Sequence, residues 1–495
     1  MTTTKKLETQ KTLADATLPP LRPAHRLSKI FIPLAWILFL ANVAYVVLYA
    51  PNLPEVTWGS VIALNGLSSI MWLVVTFFSA VIQTYAANYL KGFKYKGRFL
   101  VISFFFTLSV MLFVASNHVV LFCVSWFIMG FLMTQLIGIN SAWKEGQHAA
   151  RYALNNYIGS TLFLGAAVGL LTYTTGIWTI SGIREVLPQI EGTVTVVAAL
   201  GVLMAALIQS AIFPFHKWLM SAMTSPTPAS ALMHAGFVNA AGILLTIFAP
   251  LLVQAEVLTI TFIIGCLTAI FSQYSKLLQV NVKQKLACST SAQMSFMIMQ
   301  CGLGFFSAAI THLILHGFYK AYLFLASGEE IKNGTPQPPQ TVQLKPLETL
   351  FILGISILGG VMFALLTGKG LVLDTGLFLT FIVAITVGQV SYNVLNHGAL
   401  PMAKKLIILP LASAVGIAVY ALTYNGVAAL LKDMPMANMA LEFTFVHALF
   451  GVIFLVAFYI MLTGMYRKIP WLYVKLLNAS QPYEKTILST KSNRS

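Results

Sequence analysis

Three ionisable side chains recur at four-residue intervals in one apolar stretch, THLILHGFYKAYLFLASG, which contains His312, His316 and Lys320. If this stretch is helical, that spacing places all three groups on one face. Ionisable groups are costly in hydrocarbon, so inside a membrane they usually face a bundle interior or a wet cavity and mark an ion or proton path. The pattern therefore predicts a relay. The alternative is that the three groups only hydrogen-bond within the bundle and fix helix contacts.

Histidine and lysine can both move protons in such a setting. An imidazole changes charge near neutral pH, and burial makes a lysine ammonium easier to deprotonate. A further candidate is His234, in PTPASALMHAGFVNAAG, although a single histidine is as readily a packed core residue. His216 and Lys217 follow Pro214 at a predicted helix break, where they either form a proton entry or mark the membrane interface.

Carboxylates do not accompany these basic groups. All 14 Asp and Glu residues lie in predicted loops, tails or span ends. Proton pumps usually keep acidic groups in the membrane as paired carriers. The sequence therefore predicts a basic relay that has no acidic partner at the centre of the membrane.

The composition sets the fold class that must position these groups. The 495 residues are 58% hydrophobic and 9% charged, against about 25% charged residues in a typical soluble domain. Apolar runs long enough to span a bilayer recur from Lys29 to Arg467. This predicts an all-α polytopic membrane protein with about 14 transmembrane helices.

The net charge of +16 is explained by topology rather than by nucleic-acid binding. With both termini in the cytoplasm, all but four of the 30 Lys and Arg residues fall on the cytoplasmic side. The exceptions are Arg184, Lys369 and Lys432 outside, and Lys320 within the membrane. The positive-inside rule favours this arrangement and an even number of spans. Basic loops also suit anionic lipid headgroups.

The predicted organisation is one transmembrane domain, residues 29–465, between two basic cytoplasmic tails, residues 1–28 and 466–495. A proline-rich segment, residues 333–346, is predicted to connect two halves of the bundle. The second tail contains IPWLYVKLL, which either lies on the membrane surface or contacts a partner. The four cysteines form no CxxC pair, so we predict packing roles for them and no metal site or catalytic site in this chain.

Several motifs resemble those of a known family. SAIFPFHKWLMSAMTSPTPASALMHAG, and VKQKLACSTSAQMSFM followed by HLILHGFYKAYLFLASG, are similar to the antiporter-like subunits of respiratory complex I and of multisubunit sodium/proton antiporters. The resemblance extends from about Leu121 to Gly328. It implies two inverted repeats of five helices, each with one broken helix. It also implies proton-path roles for four residues of this chain: His234, His312, His316 and Lys320.

The chain departs from the pattern of that family in its first half. In LFCVSWFIMGFLMTQLIG the family has a buried glutamate directly after the tryptophan, but here Phe127 follows Trp126. Gln209 stands where the family has a buried lysine, and Ser160 where it has an aspartate. The usual Glu–Lys pair is therefore missing, while the second half keeps its relay. Gln209 is expected to play at most a supporting role.

This combination resembles the DabB family, the membrane subunits of a two-protein inorganic carbon accumulation complex. The resemblance implies that protons or sodium ions flow through the chain and drive CO2 hydration to bicarbonate in the cytoplasm. The chemistry would be done by a DabA-like partner similar to a zinc-dependent β-carbonic anhydrase, so zinc is expected in the partner and no cofactor in this chain. The implied location is the inner membrane of a bacterium.

Two other functions stay open at this point. The chain could be a subunit of a sodium/proton antiporter or of a complex I-like NADH dehydrogenase that depends on neighbouring subunits for its missing charges. It could also be a membrane scaffold that conducts nothing and recruits a soluble enzyme. The retained His312, His316 and Lys320 count against the scaffold.

Overall fold

The structure is a computed structural model that describes residues 22–328, 346–397 and 401–487. These segments are helical apart from short connections and one hairpin, in which β1 (Val56–Trp58) pairs antiparallel with β2 (Ile62–Leu64). The predicted all-α fold is thereby confirmed. The predicted connecting segment 333–346 falls almost wholly outside the described residues, as does most of the first basic tail. The predicted boundary at residue 29 lies within the first helix.

The helices are numbered in chain order. The first group comprises α1 (Arg22–Tyr49), α2 (Gly66–Tyr89), α3 (Lys96–Ala115), α4 (Val119–Ile137), α5 (Lys144–Thr175), α6 (Ile180–Val186) and α7 (Gly192–Gln209). The second comprises α8 (Lys217–Ser221), α9 (Thr227–Leu232), α10 (Ala240–Ile247), α11 (Ala249–Gln254), α12 (Leu258–Leu278), α13 (Val282–Gly302) and α14 (Phe306–Leu325). The third comprises α15 (Pro346–Thr367), α16 (Thr375–His397), α17 (Met402–Leu430), α18 (Phe445–Thr463) and α19 (Pro470–Ala479).

Within the described segments, 11 helical stretches are long and apolar enough to cross a membrane, with α9 and α10 counted together as Thr227–Ile247. Helix α18 is apolar but shorter. Helices α13 and α14 are long enough but less apolar, because α13 is rich in Ser, Thr and Gln and α14 carries the relay. Each predicted span centre falls in one of these helical regions, but the count of 14 itself stays a prediction.

Small residues allow α12 to lie close to α13, the helix that packs against α14. At the contact between α12 and α13, a Cβ atom on Gly302 would lie 2.3 Å from the backbone nitrogen of Phe262. A Cβ on Gly265 would lie 2.7 Å from the backbone nitrogen of Met299. Close backbone approach through small residues is how helices gain packing contacts in a membrane, where lipid provides no hydrophobic driving force.

The beginning of α14 is fixed by a loop that follows α17. The Met439 amide donates to the Gly304 carbonyl at 3.0 Å, and the Ser307 amide donates to the Ala437 carbonyl at 3.0 Å. Gly304 has a φ of +85°, and a Cβ there would lie 2.0 Å from the Met439 carbonyl oxygen. Glycine is therefore required here both by the backbone conformation and by the available space.

We expect Gly304→Ala to lower the melting temperature of the detergent-solubilised protein more than Gly176→Ala does. Gly176 is the matched control, because its φ is +71° and a Cβ there would have no neighbour within 4 Å. A left-handed conformation alone costs an alanine about 1–2 kcal/mol. Gly304→Ala adds the clash with Met439. Equal shifts in the two variants would show that the loop after α17 does not hold α14.

Candidate functional site

The predicted relay residues share one face of α14. The rings of His312 and His316 are nearly parallel, at 21°, with their centroids 5.9 Å apart. Lys320 is fully buried and His316 is 5% exposed, whereas His312 is half-buried. The Lys320 ammonium donates a hydrogen bond to the Leu286 carbonyl at 3.1 Å, one turn into α13. The α14 face therefore runs from a half-buried imidazole to a lysine that is held against the beginning of α13.

His234 joins this face from another helix. It lies in a π-helical segment, Met233–Phe237, between α9 and α10, and its ring stacks on Phe324 with centroids 4.3 Å apart. Phe324 follows Lys320 by one turn of α14. The Asn239 side-chain amide donates to the Ala235 carbonyl of this segment at 3.1 Å. Such π-bulges occur frequently at functional sites.

Gly317 allows α14 to lie against the π segment. A Cβ on this residue would lie 3.0 Å from the Ala235 carbonyl oxygen and 2.8 Å from a ring carbon of Phe78. Both contacts are tighter than ordinary packing. The glycine between His316 and Lys320 thus brings the relay face and the His234 segment together.

Several polar atoms along this face have no hydrogen-bond partner among the described residues. They are both ring nitrogens of His234 and the Nε2 atoms of His312 and His316. Buried polar groups in proteins are nearly always satisfied by protein or by ordered water. These four nitrogens belong to three neighbouring imidazoles, and each nitrogen can donate to or accept from a water molecule.

Lys283 is a site residue that the sequence reasoning did not single out. Its ammonium donates to the carbonyls of Ser225 at 2.6 Å and of Met223 at 3.3 Å. Met223 lies in the 3₁₀ turn that follows α8, and Ser225 lies between that turn and the beginning of α9. Carbonyls at the end of a helix have no intrahelical partner, so Lys283 stabilises the break. The signal available in the sequence was the first lysine in VKQKLA, within the family motif.

The first half of the bundle has neutral polar contacts at the positions where the chain departs from the family. The Trp126 indole donates to the Ser160 hydroxyl at 3.1 Å, and that hydroxyl donates to the Ala205 carbonyl at 2.8 Å. Gln209, 1% exposed, lies at the end of α7, and its side-chain nitrogen has no partner among the described residues. Phe127 is half-buried. None of these four side chains carries a charge.

An aromatic cluster packs between Ser160 on α5 and the His234 segment. It consists of Tyr157, Trp218 and Phe237, all buried. The Tyr157 ring centroid lies 5.0 Å from that of Trp218 and 4.8 Å from that of Phe237, both edge-on. Tyr157 precedes Ser160 by one turn, and Phe237 follows His234 by three residues. The two halves of the bundle therefore meet here through apolar contacts.

His216 and Lys217 lie apart from the relay, at the beginning of α8. The structure places His216 under the C-terminal segment, which we define as residues 470–486. The His216 imidazole Nε2 donates to the Ala479 carbonyl at 2.7 Å. The Tyr483 amide donates to the Ser221 hydroxyl at 2.9 Å, and its ring stacks on Tyr152 with centroids 4.6 Å apart. The second tail therefore packs across the helix break rather than extending away from it. Lys217 is half-buried.

Docking of the C-terminal segment should depend on pH through His216. Burial lowers the pKa of His216 below its usual value of 6.5, and nearby Lys217 lowers it further, while the bond to Ala479 opposes both. A released state in which the imidazole is exposed to water has the usual pKa and binds more protons than the docked state, so docking weakens as the pH falls through that range. We expect the amides of 471–480 to lose hydrogen-exchange protection, corrected for intrinsic rates, between about pH 7.5 and about pH 5.5.

The control for this measurement is His216→Asn, whose side chain does not titrate. In that variant the protection of the same amides should no longer change over the same pH interval. Unchanged protection in the unmodified protein at both pH values would contradict the account of His216.

Lys369 is the second residue that the sequence reasoning missed; it was assigned only to an outer loop. Its ammonium lies 3.7 Å from the ring centroid of Phe305 and 4.8 Å from that of Tyr424, and the residue is 8% exposed. Phe305 directly precedes α14, so this cation sits at the end of the relay helix opposite Lys320. Burial lowers the pKa of Lys369 to about 8, while Asp374 raises it. Aromatic rings hold the cation by their quadrupoles.

The free energy of unfolding should therefore depend on Lys369 at alkaline pH. Because its pKa is lowered from 10.5 to about 8 on folding, the unfolded chain binds more protons between these values. The folded protein then gains stability as the pH rises through that interval. Lys369→Met should remove this gain, and Lys432→Met, an exposed lysine, should keep it. An identical pH dependence in both variants, measured by thermal unfolding, would contradict the assignment.

Comparison with known families decides the class of protein. A family model described as "NADH:quinone oxidoreductase/Mrp antiporter, TM" matches residues 116–396, more than half of the chain. The chain belongs to this antiporter-like family. The matched range contains His234, the relay face of α14, Lys283 and Lys369. The predicted family resemblance and the predicted multi-pass membrane fold are both confirmed.

Curated relatives give two kinds of name. The chain is 36% identical over 294 residues to the "Probable inorganic carbon transporter subunit DabB1" of Halothiobacillus neapolitanus. The aligned region covers 57% of this chain and 52% of the relative. It is 32% identical over 285 residues to "NADH-ubiquinone oxidoreductase chain 5" of Cryptococcus neoformans. Here the aligned region covers 57% of this chain and 43% of the relative. The chain spans about half the length of the curated relatives it matches.

A solved structure has the same fold. The Mrp complex from Dietzia sp. DQ12-45-1b superposes with a TM-score of 0.61 and 21% identity, over 92% of this chain and 55% of that chain. This likeness shows an antiporter-like arrangement of helices. The path roles predicted for His234, His312, His316 and Lys320, and the supporting roles of Gln209, His216 and Lys217, stay predictions.

Metal ligation was not predicted for this chain. In the described ranges, no group of three or more His, Cys, Asp or Glu side chains is placed to hold a metal ion. The four cysteines are free thiols, with Cys123 half-buried and the other three buried.

Proposed function

We propose that this chain is the ion-conducting subunit of a membrane complex that accumulates inorganic carbon. Protons or sodium ions flow through it, and their flow drives hydration of CO2 to bicarbonate by a DabA-like partner that resembles a zinc β-carbonic anhydrase. The chain itself holds no zinc and carries out no carbon chemistry. It lies in the inner membrane of a bacterium with both termini in the cytoplasm.

The line of basic groups on α14 carries this proposal. Lys320 and His316 are buried, and His312 continues the same face towards the opposite end of the helix. Keeping charged or chargeable groups inside a bundle is costly, and in membrane proteins it accompanies ion movement. A scaffold that only recruits an enzyme would gain nothing from such a line.

The proposed path uses the second half of the bundle. It begins beside the helix break that Lys283 stabilises, passes Lys320, His316 and His312, and continues towards Lys369 at the other end of α14. The aromatic cluster of Tyr157, Trp218 and Phe237 makes the first half a poorer route for ions, because it carries no charged group.

Two observations favour the inorganic carbon function over the antiporter function. Relatives named as inorganic carbon transporter subunits match at 30–36% identity. The chain also lacks the charged pair in its first half, where Gln209 and Phe127 stand. The fold likeness to the Mrp complex keeps a sodium/proton antiporter subunit as the second candidate.

The decisive variant for conduction is Lys320→Met, which removes the ammonium and keeps the side-chain length. We expect bicarbonate accumulation by cells that express the whole complex to fall to the level of cells without this chain. Because the described partner of Lys320 is a neutral carbonyl, that of Leu286, its removal leaves no opposite charge unpaired, and the amount of protein in the membrane should stay unchanged.

Lys285→Met is the matched control, since Lys285 is exposed and lies on the neighbouring helix α13. It should accumulate bicarbonate like the unmodified complex. Full accumulation by Lys320→Met would overturn conduction along α14 and favour the scaffold.

The identity of the partner is tested by purifying the tagged chain in gentle detergent and identifying the proteins that accompany it by mass spectrometry. One large soluble protein that carries bound zinc would support the proposal. A set of small membrane subunits would instead favour the antiporter, and flavin or iron–sulfur proteins would favour a respiratory complex.

A further inference from the structure

A cavity of about 410 Å³ lies beside the relay, among α12, α13 and the helices that follow α14. His312 and Gln300 form part of its wall, together with three more glutamines, Gln273, Gln293 and Gln389. The remaining lining is mainly Ile, Val, Leu, Phe and Ala side chains. Pockets of this size between helices, with apolar walls and a few polar groups, are typical ligand sites.

Water is a poor occupant for most of this volume. At roughly 30 Å³ each, the cavity would hold on the order of a dozen waters, and each needs two to four polar partners. Only eight of the 24 lining residues have a polar side-chain group. Two of these already donate within the protein, Tyr274 to the Ala457 carbonyl and Thr386 to the Ile382 carbonyl. The walls therefore favour a largely apolar occupant.

The dimensions of the cavity fit a lipid chain. Along α16 its lining extends from Leu379 to Gln389, which is about 15 Å at the helical rise of 1.5 Å per residue. One leaflet of a bilayer contributes about half of a hydrocarbon core of about 30 Å. Four of the helices around the cavity, α12, α15, α16 and α17, are long and apolar enough to span the membrane, so lipid chains are the apolar molecules available at this depth.

Gly416 marks a place where the lining is open. This residue on α17 belongs to the cavity wall, is exposed, and would have no atom within 4 Å of an added Cβ. An apolar chain can therefore approach the cavity along α17 without moving a side chain.

We propose that this cavity binds one acyl chain of a membrane phospholipid. The chain lies along the apolar walls formed by the Ile, Val, Leu, Phe and Ala side chains. It packs beside His312, which lies in the cavity wall. The site borders the proposed ion path at this one residue, and binding of the chain does not depend on the function proposed above.

The test is photolabelling of the full-length chain in nanodiscs with a phospholipid that carries a diazirine in one acyl chain. Lipid-facing surfaces will be labelled in every sample, so the informative peptide is 292–300 of α13, whose Ala292 and Gln300 are buried and line the cavity. We expect this peptide to be labelled in the unmodified protein. Gly416→Phe, which fills the cavity from α17, should abolish its labelling.

Gly426→Phe is the matched control, because Gly426 lies on the same helix, also has open space around its Cα, and is not part of the cavity wall. It should keep the labelling of 292–300. If Gly416→Phe fails to fold, Ala457→Phe fills the cavity from α18 instead. Labelling that persists in a folded cavity-filled variant would overturn the proposal. So would labelling of 292–300 by a diazirine fatty acid but not by the phospholipid.

Discussion

Lys320 is a fully buried ammonium on a helix that lies among apolar neighbours, and much of the surrounding architecture accommodates it. A buried charge must be paired or hydrogen-bonded. Here one bond goes to the Leu286 carbonyl, and the acidic residues that the structure describes lie in loops or near helix ends. The π segment at His234, the close approach at Gly317 and the bonds from Lys283 to the broken helix all shape the space around this group. A bundle built only for stability would have an apolar residue at this position.

The two halves of the bundle have diverged physically. The first half replaces charges with a Trp126–Ser160 contact and aromatic packing around Tyr157, whereas the second half keeps basic groups along the whole of α14. The described contacts around Trp126, Ser160 and Tyr157 are therefore uncharged, and the buried basic groups lie on α14. The C-terminal segment docks on the helix break through His216, apart from that face.

The fold class, the helix break after Pro214 and the shared face of His312, His316 and Lys320 could be predicted from the sequence. Apolar run length and four-residue spacing are local properties of the chain. The contacts between distant segments could not be predicted in this way. The aromatic cage of Lys369 joins the loop after α15 to Phe305, which precedes α14, and to Tyr424 on α17. The partner of His216 lies 263 residues further along the chain. The same holds for Lys283, whose role depends on carbonyls of a segment 58 residues earlier. The terminal tail was expected at the membrane or on a partner, and its packing on the break could not be read from its composition.

The central claim is that the α14 face is a hydrated path, and a high-resolution electron cryomicroscopy map of the complex in lipid nanodiscs tests it most directly. The account predicts ordered water density that connects the imidazoles of His312 and His316 with the Lys320 ammonium and reaches His234. A map in which these four side chains are surrounded only by protein atoms and lipid, with no water between them, would contradict it.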